Sequence, residues 1–338
     1  MDILENISLE NFDTFGLKVK AKYFAEIFEK EELRAVLSSV KFKNMQKLVL
    51  GGGSNILLSG DFNGIVIKIS IPGIKIINKD KETVYIEAGA GVVWNDLVLY
   101  CVENNFGGIE NLSLIPGTVG AAPIQNIGAY GQELKDVLYS LQAFSIDDAE
   151  EKIFYNNECN FGYRDSIFKN ELKGKFIISA IVLELKNNPK LNLSYGSLMD
   201  ELKKLNLDKI TIRDVSNVIC GIRRSKLPDP EVTGNAGSFF KNPEVEKKKY
   251  LEIKKEYPDV IAHKQGNGSY KIAAGWMIEK CGWKGKRIGN TGAHEKQSLV
   301  LVNYGGAEGK EILQLAGDIK KSVLEKFNII LTEEVNIY

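Results

Sequence analysis

Two glycine-rich segments constrain the fold of this chain more than any other feature of its sequence. The first, Gly51-Gly52-Gly53-Ser54-Asn55, directly follows the apolar run KLVL. Consecutive glycines after a strand leave backbone N–H groups able to approach a phosphate. A P-loop would continue with Gly-Lys-Ser/Thr, and a dinucleotide-binding βαβ unit would continue with a helix, but neither follows here. The segment therefore indicates either another kind of phosphate-binding loop or a tight turn between strands.

The second segment is a ribbon of small residues from Ile115 to Gly131, with Gln125 and Asn126 set within it. Such a ribbon is suited to lie flat against a large planar ligand. The two segments are about 65 residues apart, and we expect strands to flank both. Together they favour one dinucleotide, held at its pyrophosphate and along its ring system.

The remaining pattern alternates strands and helices without a repeat of fixed period. Short β-branched runs between residues 47 and 91, and again near 137–146 and 176–185, predict strands. Apolar residues at helical spacing predict a helix at 93–105, and a capping box of Thr211 and Asp214 begins another that stops by Leu227. Pro228 and Pro230 then mark a linker. Three helices and a closing strand over 328–338 are predicted beyond it, which gives an α+β plan.

Composition excludes several classes of function. The 338 residues suggest two or three domains. The 44 basic and 44 acidic residues balance, so no net positive charge attracts nucleic acid or an anionic membrane. No apolar run reaches the length of a membrane span, and the N-terminus does not resemble a signal peptide. Four scattered cysteines favour a reducing cytoplasm without a disulfide framework or metal site. With only two histidines in the chain, a hydrolytic Ser-His-Asp triad is not favoured.

Five motifs in order carry a family resemblance that spans residues 11–335: GGGSN, PGTVGAAPIQNIGAYG, FGYRDSIFK, KLPDPEVTGNAGSFFKNP and LTEEV. The chain resembles the UDP-N-acetylenolpyruvoylglucosamine reductases, usually called MurB. The resemblance implies an α+β vanillyl-alcohol-oxidase/PCMH-type two-part FAD-binding fold plus a third α+β substrate-binding domain. It divides the chain into FAD-binding subdomain 1 over 1–70, with 325–338 returning to it, subdomain 2 over 71–216 and a substrate-binding domain over 217–324.

The same resemblance implies the ligands. They are non-covalently bound FAD, NADPH as hydride donor, and UDP-N-acetylglucosamine enolpyruvate, which is reduced to UDP-N-acetylmuramate for the peptidoglycan that supports cell shape and division. The predicted cofactor-binding residues lie in the two glycine-rich segments. They are Gly51, Gly52, Gly53, Ser54, Asn55, Pro116, Gly117, Gly120, Gln125, Asn126, Gly128 and Ala129.

Three residues match the catalytic positions of the family: Arg164, Ser238 and Glu334. By resemblance, Arg164 binds the substrate carboxylate, Ser238 protonates the carbon next to it, and Glu334 shares or relays a proton. Each also has an ordinary structural interpretation. Arg164 fits a salt bridge to Asp165, Ser238 fits a turn beside glycines, and Glu334 fits a solvent-facing strand carboxylate. Only the surrounding motifs favour the catalytic roles.

Five further residues match substrate contacts: Tyr163, Tyr195, Lys226, Asn242 and Gln297. By resemblance, Tyr195 belongs to a subgroup with a tyrosine-bearing loop that closes over the diphosphate. A buried strand tyrosine and a helix-end lysine are the structural alternatives. One position departs from the family pattern, because Asn336 stands where a basic residue is common.

The sequence leaves two rival functions open. The first is another flavoprotein of the same fold, such as a sugar or alcohol oxidase. Many such oxidases tether their flavin through histidine, but neither His263 nor His294 lies in a candidate flavin loop. The second is a nucleotide-sugar binding protein that has lost its chemistry, although Arg164, Ser238 and Glu334 all survive. No sustained heptad pattern is present, so we expect a monomer.

Overall fold

The computed structural model describes all residues from Met1 to Tyr338, the side chain of Ser197 excepted. The chain forms two compact units. The first comprises residues 1–7, 21–52 and 63–225, and the second comprises 8–20, 53–62 and 226–338. The unit boundary at residues 225 and 226 adjoins the proline-rich segment predicted as a linker. The finer division into three domains stays a prediction.

Runs of consecutive strands are separated by single helices or helix pairs, and the largest sheet is antiparallel, which confirms the α+β class. The strands are β1 (Ile3–Ser8), β2 (Lys20–Ile27), β3 (Lys47–Leu50), β4 (Ile56–Leu57), β5 (Phe62–Ile69), β6 (Ile74–Lys79), β7 (Thr83–Gly89), β8 (Gly128–Ala129), β9 (Gln132–Glu133), β10 (Leu138–Ser145), β11 (Glu151–Tyr155), β12 (Phe176–Lys186), β13 (Gly234–Ser238), β14 (Glu244–Val245), β15 (Ala262–Lys264), β16 (Tyr270–Ile272), β17 (Arg287–Ile288), β18 (Thr291–Ala293), β19 (Val300–Asn303) and β20 (Asn336–Ile337). The helices are α1 (Lys30–Ser38), α2 (Trp94–Glu103), α3 (Gly196–Lys203), α4 (Ile212–Lys226), α5 (Lys247–Glu256), α6 (Ala274–Lys280) and α7 (Gly309–Phe327).

The first unit contains two large sheets, besides the two-stranded hairpin of β8 and β9. One has the order β1-β2-β5-β3, and β3 pairs in parallel with β5. The other has the order β11-β10-β12-β7-β6 and is antiparallel throughout. Strand β12 is central in that sheet and buried along most of its length, as its nearly continuous apolar sequence predicts. Trp94, Leu97, Val98 and Cys101 of helix α2 are buried in the hydrophobic core that covers this sheet, which confirms the predicted helical face.

Helix α4 begins as predicted. The backbone N–H of Thr211 donates to Asp214 Oδ2 at 2.9 Å, and the N–H of Asp214 points back to Thr211 Oγ1 at 3.3 Å. This reciprocal pair satisfies two donors at the helix start. Its apolar face packs Val215 and Ile219 against α3.

The second unit contains a four-stranded sheet of order β13-β19-β18-β17 and a three-stranded sheet of order β14-β16-β15. The long helix α7 buries Ile312, Leu315, Ile319, Val323 and Phe327, the predicted face. Strand β20 returns to pair in parallel with β4. Among the described residues, no helix is long and apolar enough to cross a membrane.

The predicted closing strand over 328–338 is mostly wrong. Only Asn336–Ile337 form a strand, and Glu333 makes one isolated bridge to Phe240. Ile329 and Leu331 are buried while Ile330 is exposed, which is the alternation that suggested a strand. The pairing is interrupted because the backbone at 332–334 bonds to residues 239–241, and residues 336–338 bond instead to residues 55–59.

The second unit contains a buried carboxylate, Asp13. Its oxygens accept the backbone N–H groups of Phe15 at 2.8 Å and Leu17 at 3.3 Å. Burial nevertheless raises the pKa of Asp13 to about 6, with a smaller contribution from Glu10, against the lowering effect of these hydrogen bonds. The folded protein therefore holds more protons than the unfolded chain between the two pKa values.

The free energy of unfolding should consequently fall as pH rises through that window, by about 2 kcal/mol from Asp13 alone between pH 4 and pH 7. Urea unfolding of wild type and Asp13→Asn at both pH values tests this, with the surface variant Asp208→Asn as control. Between pH 4 and pH 7, the free energy of unfolding of wild type should fall by about 2 kcal/mol relative to that of Asp13→Asn. A difference that does not change with pH would contradict the assignment.

Candidate functional site

The two glycine-rich segments meet at residues 51–52 and 117–118. A Cβ built on Gly52 would lie 2.8 Å from Gly117 Cα, and one built on Gly51 would lie 2.5 Å from Thr118 Oγ1. Because real Cβ atoms do not approach other atoms so closely, only glycine permits this contact at Gly51 and Gly52 without a shift. The expectation that both segments serve one site is consistent with this arrangement.

A buried hydroxyl completes the contact between the segments. Thr118 is 6% exposed, and its Oγ1 has no hydrogen-bond partner within the part of the chain that the structure describes. A buried polar atom without a partner is costly, so it marks a place where a ligand or water is expected to bond. Narrow backbone-lined loops with such a donor fit the pyrophosphate and ring system of FAD.

Lys68 lies beside the first segment and was missed in the sequence. Its ammonium donates to the carbonyl of Gly51 at 2.7 Å, and burial lowers the pKa of Lys68 while Glu26 opposes that effect. The signal was present, because Lys68 is a charged residue within the largely buried run Ile65–Ile69 of strand β5. A lysine there both fixes the loop and adds positive charge beside the segment expected to bind phosphate.

Replacing Lys68 by methionine should weaken FAD binding by about tenfold, because one charge-assisted hydrogen bond is lost. The dissociation constant can be measured by fluorescence titration of the apoprotein. Lys41→Met, which removes an exposed lysine paired with Glu5, serves as the control. Equal FAD affinity in all three proteins would show that Lys68 does not support the loop.

The rest of the second segment is not the flat ribbon that was predicted. Residues Val119–Gln125 form a 3-10 helix, and Gly128–Ala129 pair with Gln132–Glu133 in a short hairpin. Strands therefore do not flank this segment on both sides, since a 3-10 turn at 110–112 precedes it. Gly120 packs closely on Ala90, where an added Cβ would lie 2.6 Å from the alanine Cβ.

Asn126 is fully buried, and its amide bonds within the protein. The amide nitrogen donates to Gly162 O at 3.0 Å and to Glu133 Oε2 at 3.2 Å, while the amide oxygen accepts from the N–H of Lys135. Its backbone is left-handed, with φ 44°. These bonds hold the second segment to the turn that contains Arg164, so a cofactor contact of Asn126 stays a prediction.

Arg164 occupies a tight turn in the first unit. Gly162 and Asp165 bridge across the turn, and Arg164 itself is left-handed, with φ 52°. A non-glycine residue in this conformation is strained, a feature that often marks functional sites. Its carbonyl accepts from Lys169 Nζ at 3.4 Å, and the carboxylate of Asp165 accepts from Asn170. The neighbouring Tyr163 is exposed.

A second arginine, Arg223, lies within electrostatic range of Arg164. Its Nε donates to Leu114 O at 3.1 Å. Burial lowers the pKa of Arg223, Arg164 lowers it further, and Tyr130 opposes the shift. Two guanidinium groups in one region favour an anionic ligand. The sequence contains a signal for Arg223. It lies four residues after Ile219, so it falls on the same face of α4 as the buried residues Val215 and Ile219.

Ser238 ends strand β13 at a bulge. Asn235 pairs with Val302 and Ser238 pairs with Val300, so three steps on β13 oppose two on β19. Gly237 takes the left-handed conformation that the bulge requires, with φ 68°. Ser238 is half-buried, and the two phenylalanines that follow it are fully buried. The hydroxyl is therefore carried on a rigid part of the sheet.

Glu334 lies beside the same strand. Its backbone N–H donates to Phe239 O at 2.8 Å, next to Ser238, and its side chain is half-buried. The second unit thus brings Ser238 and Glu334 into neighbouring positions, whereas Arg164 belongs to the first unit. Asn336 donates through both its backbone N–H and its side chain to Asn55 O, so it supports the first glycine-rich segment.

The predicted substrate contacts fall into three places. Asn242 Oδ1 accepts the N–H of Ala274 at 2.9 Å, and a Cβ built on Gly275 would lie 3.0 Å from Gln297 Oε1, so both amides lie at the start of α6. Exposed Tyr195 packs edge-on against Tyr130, with ring centroids 5.3 Å apart. Lys226 is exposed at the end of α4.

Across the described residues, no group of His, Cys, Asp and Glu could hold a metal ion.

Comparisons with known proteins agree with these features. An FAD-binding domain matches residues 21–150, and the C-terminal domain of UDP-N-acetylenolpyruvoylglucosamine reductase matches residues 229–338. The UDP-N-acetylenolpyruvoylglucosamine reductase of Flavobacterium johnsoniae is 49% identical over 338 residues, 100% of both chains. That of Amoebophilus asiaticus is 45% identical over 337 residues, covering 100% of this chain and 99% of the relative.

A solved structure supports the fold. The crystal structure of UDP-N-acetylenolpyruvylglucosamine reductase (MurB) from Thermus caldophilus superposes with a TM-score of 0.69 at 24% identity, covering 100% of this chain and 99% of that one. The predicted two-part FAD-binding fold with a further C-terminal region is thereby confirmed. With relatives of 45–49% identity along its whole length, this chain belongs to the UDP-N-acetylenolpyruvoylglucosamine reductase family.

Proposed function

We propose that this protein reduces the enolpyruvyl group of UDP-N-acetylenolpyruvoylglucosamine with electrons from NADPH, which yields UDP-N-acetylmuramate for peptidoglycan synthesis. The observation that carries the proposal is the 49% identity to a reductase of that name over the entire chain. The FAD-binding domain match over residues 21–150 supports the cofactor. Bound FAD supplies the chemistry of accepting a hydride from NADPH and passing it to the terminal carbon of the substrate's double bond.

The chain's own residues must then stabilise and protonate the substrate. Hydride addition leaves negative charge on the adjacent carbon, delocalised into the carboxylate. Arg164 is suited to bind that carboxylate, because its guanidinium stays charged and offers a planar pair of donors. The nearby positive charge of Arg223 adds to this preference for an anion.

Ser238 is assigned as the group that protonates the adjacent carbon. A serine hydroxyl is a very weak acid, so the role depends on a strongly basic carbon as acceptor. The left-handed bulge and the buried phenylalanines after it hold this hydroxyl in a fixed place. Glu334 is assigned to share or relay a proton, and its backbone hydrogen bond to Phe239, the residue after Ser238, supports that assignment.

The sugar nucleotide is assigned to the polar residues outside the flavin cradle. Asn242 and Gln297 at the start of α6, with Lys226, are suited to the sugar and diphosphate, and Tyr195 is assigned to cover the diphosphate. Tyr163 is assigned to stacking against the nicotinamide or sugar. The enzyme is further proposed to act as a monomer in the cytoplasm, where its four free cysteines would stay reduced.

Product analysis tests the proposal. The purified protein, loaded with FAD, is incubated with the enolpyruvyl UDP-sugar and NADPH, and the products are identified by mass spectrometry. We expect UDP-N-acetylmuramate in amounts equal to the NADPH consumed, and none when the sugar is omitted. NADPH consumption that is indifferent to the sugar would refute the proposed substrate.

A further inference from the structure

The bulge that carries Ser238 is built around the side chain of Asn235. This side chain is 5% exposed, and its Oδ1 accepts the N–H of Gly237 at 3.0 Å. Its amide nitrogen donates to Thr233 O at 2.8 Å and Pro228 O at 3.3 Å. Asn235 thus closes the bulge at Gly237, directly before Ser238 resumes the pairing with β19 at Val300.

Thr14 holds the backbone of Asn235 on the side away from β19. The N–H of Asn235 donates to Thr14 O at 2.9 Å, and Thr14 Oγ1 donates to Asn235 O at 2.6 Å. The same threonine faces Gly53, since its N–H donates to Gly53 O at 3.2 Å and its Oγ1 lies 3.3 Å from that oxygen. One residue therefore joins the last glycine of the first segment to the strand of Ser238.

The segment around Thr14 is also fixed by bonds that do not involve its hydroxyl. Asp13 accepts two backbone N–H groups, and Asn303 Nδ2 donates to Phe15 O at 2.8 Å. A Cβ built on Gly234 would lie 2.3 Å from Phe15 O, so the strand and the segment are in close contact. Removing only the Thr14 hydroxyl should therefore leave the segment in place and release the Asn235 carbonyl.

We propose that Thr14 and Asn235 are positioning residues for the reaction. Thr14 sets the position of Asn235, Asn235 sets the turn at Gly237, and the turn sets where the Ser238 hydroxyl meets the substrate carbon. The hydrogen bonds from Thr14 to Gly53 O tie the position of the Ser238 hydroxyl to the first glycine-rich segment, which is assigned to the flavin. This inference rests on the proposed role of Ser238 as proton donor.

The test measures the two half-reactions of the FAD-loaded enzyme by anaerobic stopped-flow. Thr14→Val removes the hydroxyl at nearly constant volume, and Thr14→Ser retains it. In Thr14→Val, we expect reoxidation of reduced flavin by the enolpyruvyl UDP-sugar to slow about tenfold, because small misplacements of a reacting group cost that much or more. Flavin reduction by NADPH and the dissociation constant of the sugar should change by less than about twofold.

Thr14→Ser should restore most of the reoxidation rate, and Thr83→Val, a threonine with an exposed hydroxyl contact to Lys186, should have none of these effects. A loss shared equally by both half-reactions would overturn the proposal, because general loosening of the protein predicts that result. If Thr14→Val does not fold, Gly237→Ala perturbs the same turn. Its added methyl meets no atom within 4 Å, so only backbone strain is introduced, and the same selective loss is expected.

A double variant separates this inference from the proposed function. In a Ser238→Ala background, Thr14→Val should slow reoxidation no further, since Thr14 acts through the missing hydroxyl. A further tenfold loss there would overturn the positioning role while leaving Ser238 as proton donor. If Ser238→Ala itself reoxidises at the wild-type rate, the proton-donor assignment fails, and the positioning inference fails with it.

Discussion

Replacing Ser238 by alanine is expected to slow reduction of the enolpyruvyl sugar by roughly 10²–10⁴-fold, the range typical for loss of a general acid. Flavin reduction by NADPH should continue at close to the wild-type rate, because that step needs no protonation of the sugar. The bulge should persist, since Asn235 and Gly237 are unchanged and an alanine retains the half-buried Cβ.

The measurement is single-turnover reoxidation of the reduced enzyme by the sugar, followed in the visible spectrum. Ser38→Ala, on the exposed face of α1, is the matched control and should behave as wild type. Loss of both half-reactions to the same extent would indicate a structural role for Ser238. An unaffected variant would transfer the proton-donor role to another group, of which the neighbouring Glu334 is the first candidate.

Replacing Gly52 by alanine is expected to yield protein with at least about 100-fold weaker FAD affinity, because the new methyl would lie 2.8 Å from the Gly117 backbone. The two glycine-rich segments must separate to admit it, and the narrow cradle for the pyrophosphate widens. Gly60→Ala is the control, because a Cβ there meets no atom within 4 Å.

Both variants should be purified without added flavin and titrated with FAD, while their thermal unfolding is recorded in the apo form. We expect Gly52→Ala to be colourless as purified and still to fold cooperatively, whereas Gly60→Ala should be yellow. Normal FAD affinity in Gly52→Ala would mean that the contact between the segments is not part of the flavin site.

The meeting of the two glycine-rich segments was predictable from sequence because glycine content reflects a steric requirement. The Thr118 side chain leaves no room for a Cβ at Gly51, and the Gly117 backbone leaves none at Gly52. The helical faces of α2, α4 and α7 were predictable for a similar reason, since each has one apolar stripe at helical spacing.

Other features depend on contacts between distant segments, which periodicity does not encode. The residues from 328 onward alternate like a strand, yet their hydrogen bonds divide between residues 239–241 and 55–59. Lys68 and Arg223 are recognisable only as charges on otherwise buried faces. No sequence pattern singles out Thr14, because the bonds that define its position reach Gly53 and Asn235, which lie 39 and 221 residues away in the chain.

An anaerobic visible spectrum of the purified protein, recorded before NADPH, after NADPH and after the enolpyruvyl UDP-sugar, tests whether this protein is a flavin-dependent reductase of that sugar. We expect a flavin spectrum that bleaches with NADPH and returns when the sugar is added. Bleaching that the sugar does not reverse would contradict the proposed substrate and favour another flavoprotein of this fold. A protein that stays colourless when FAD is supplied would contradict the cofactor itself, as expected of a binding protein without redox chemistry.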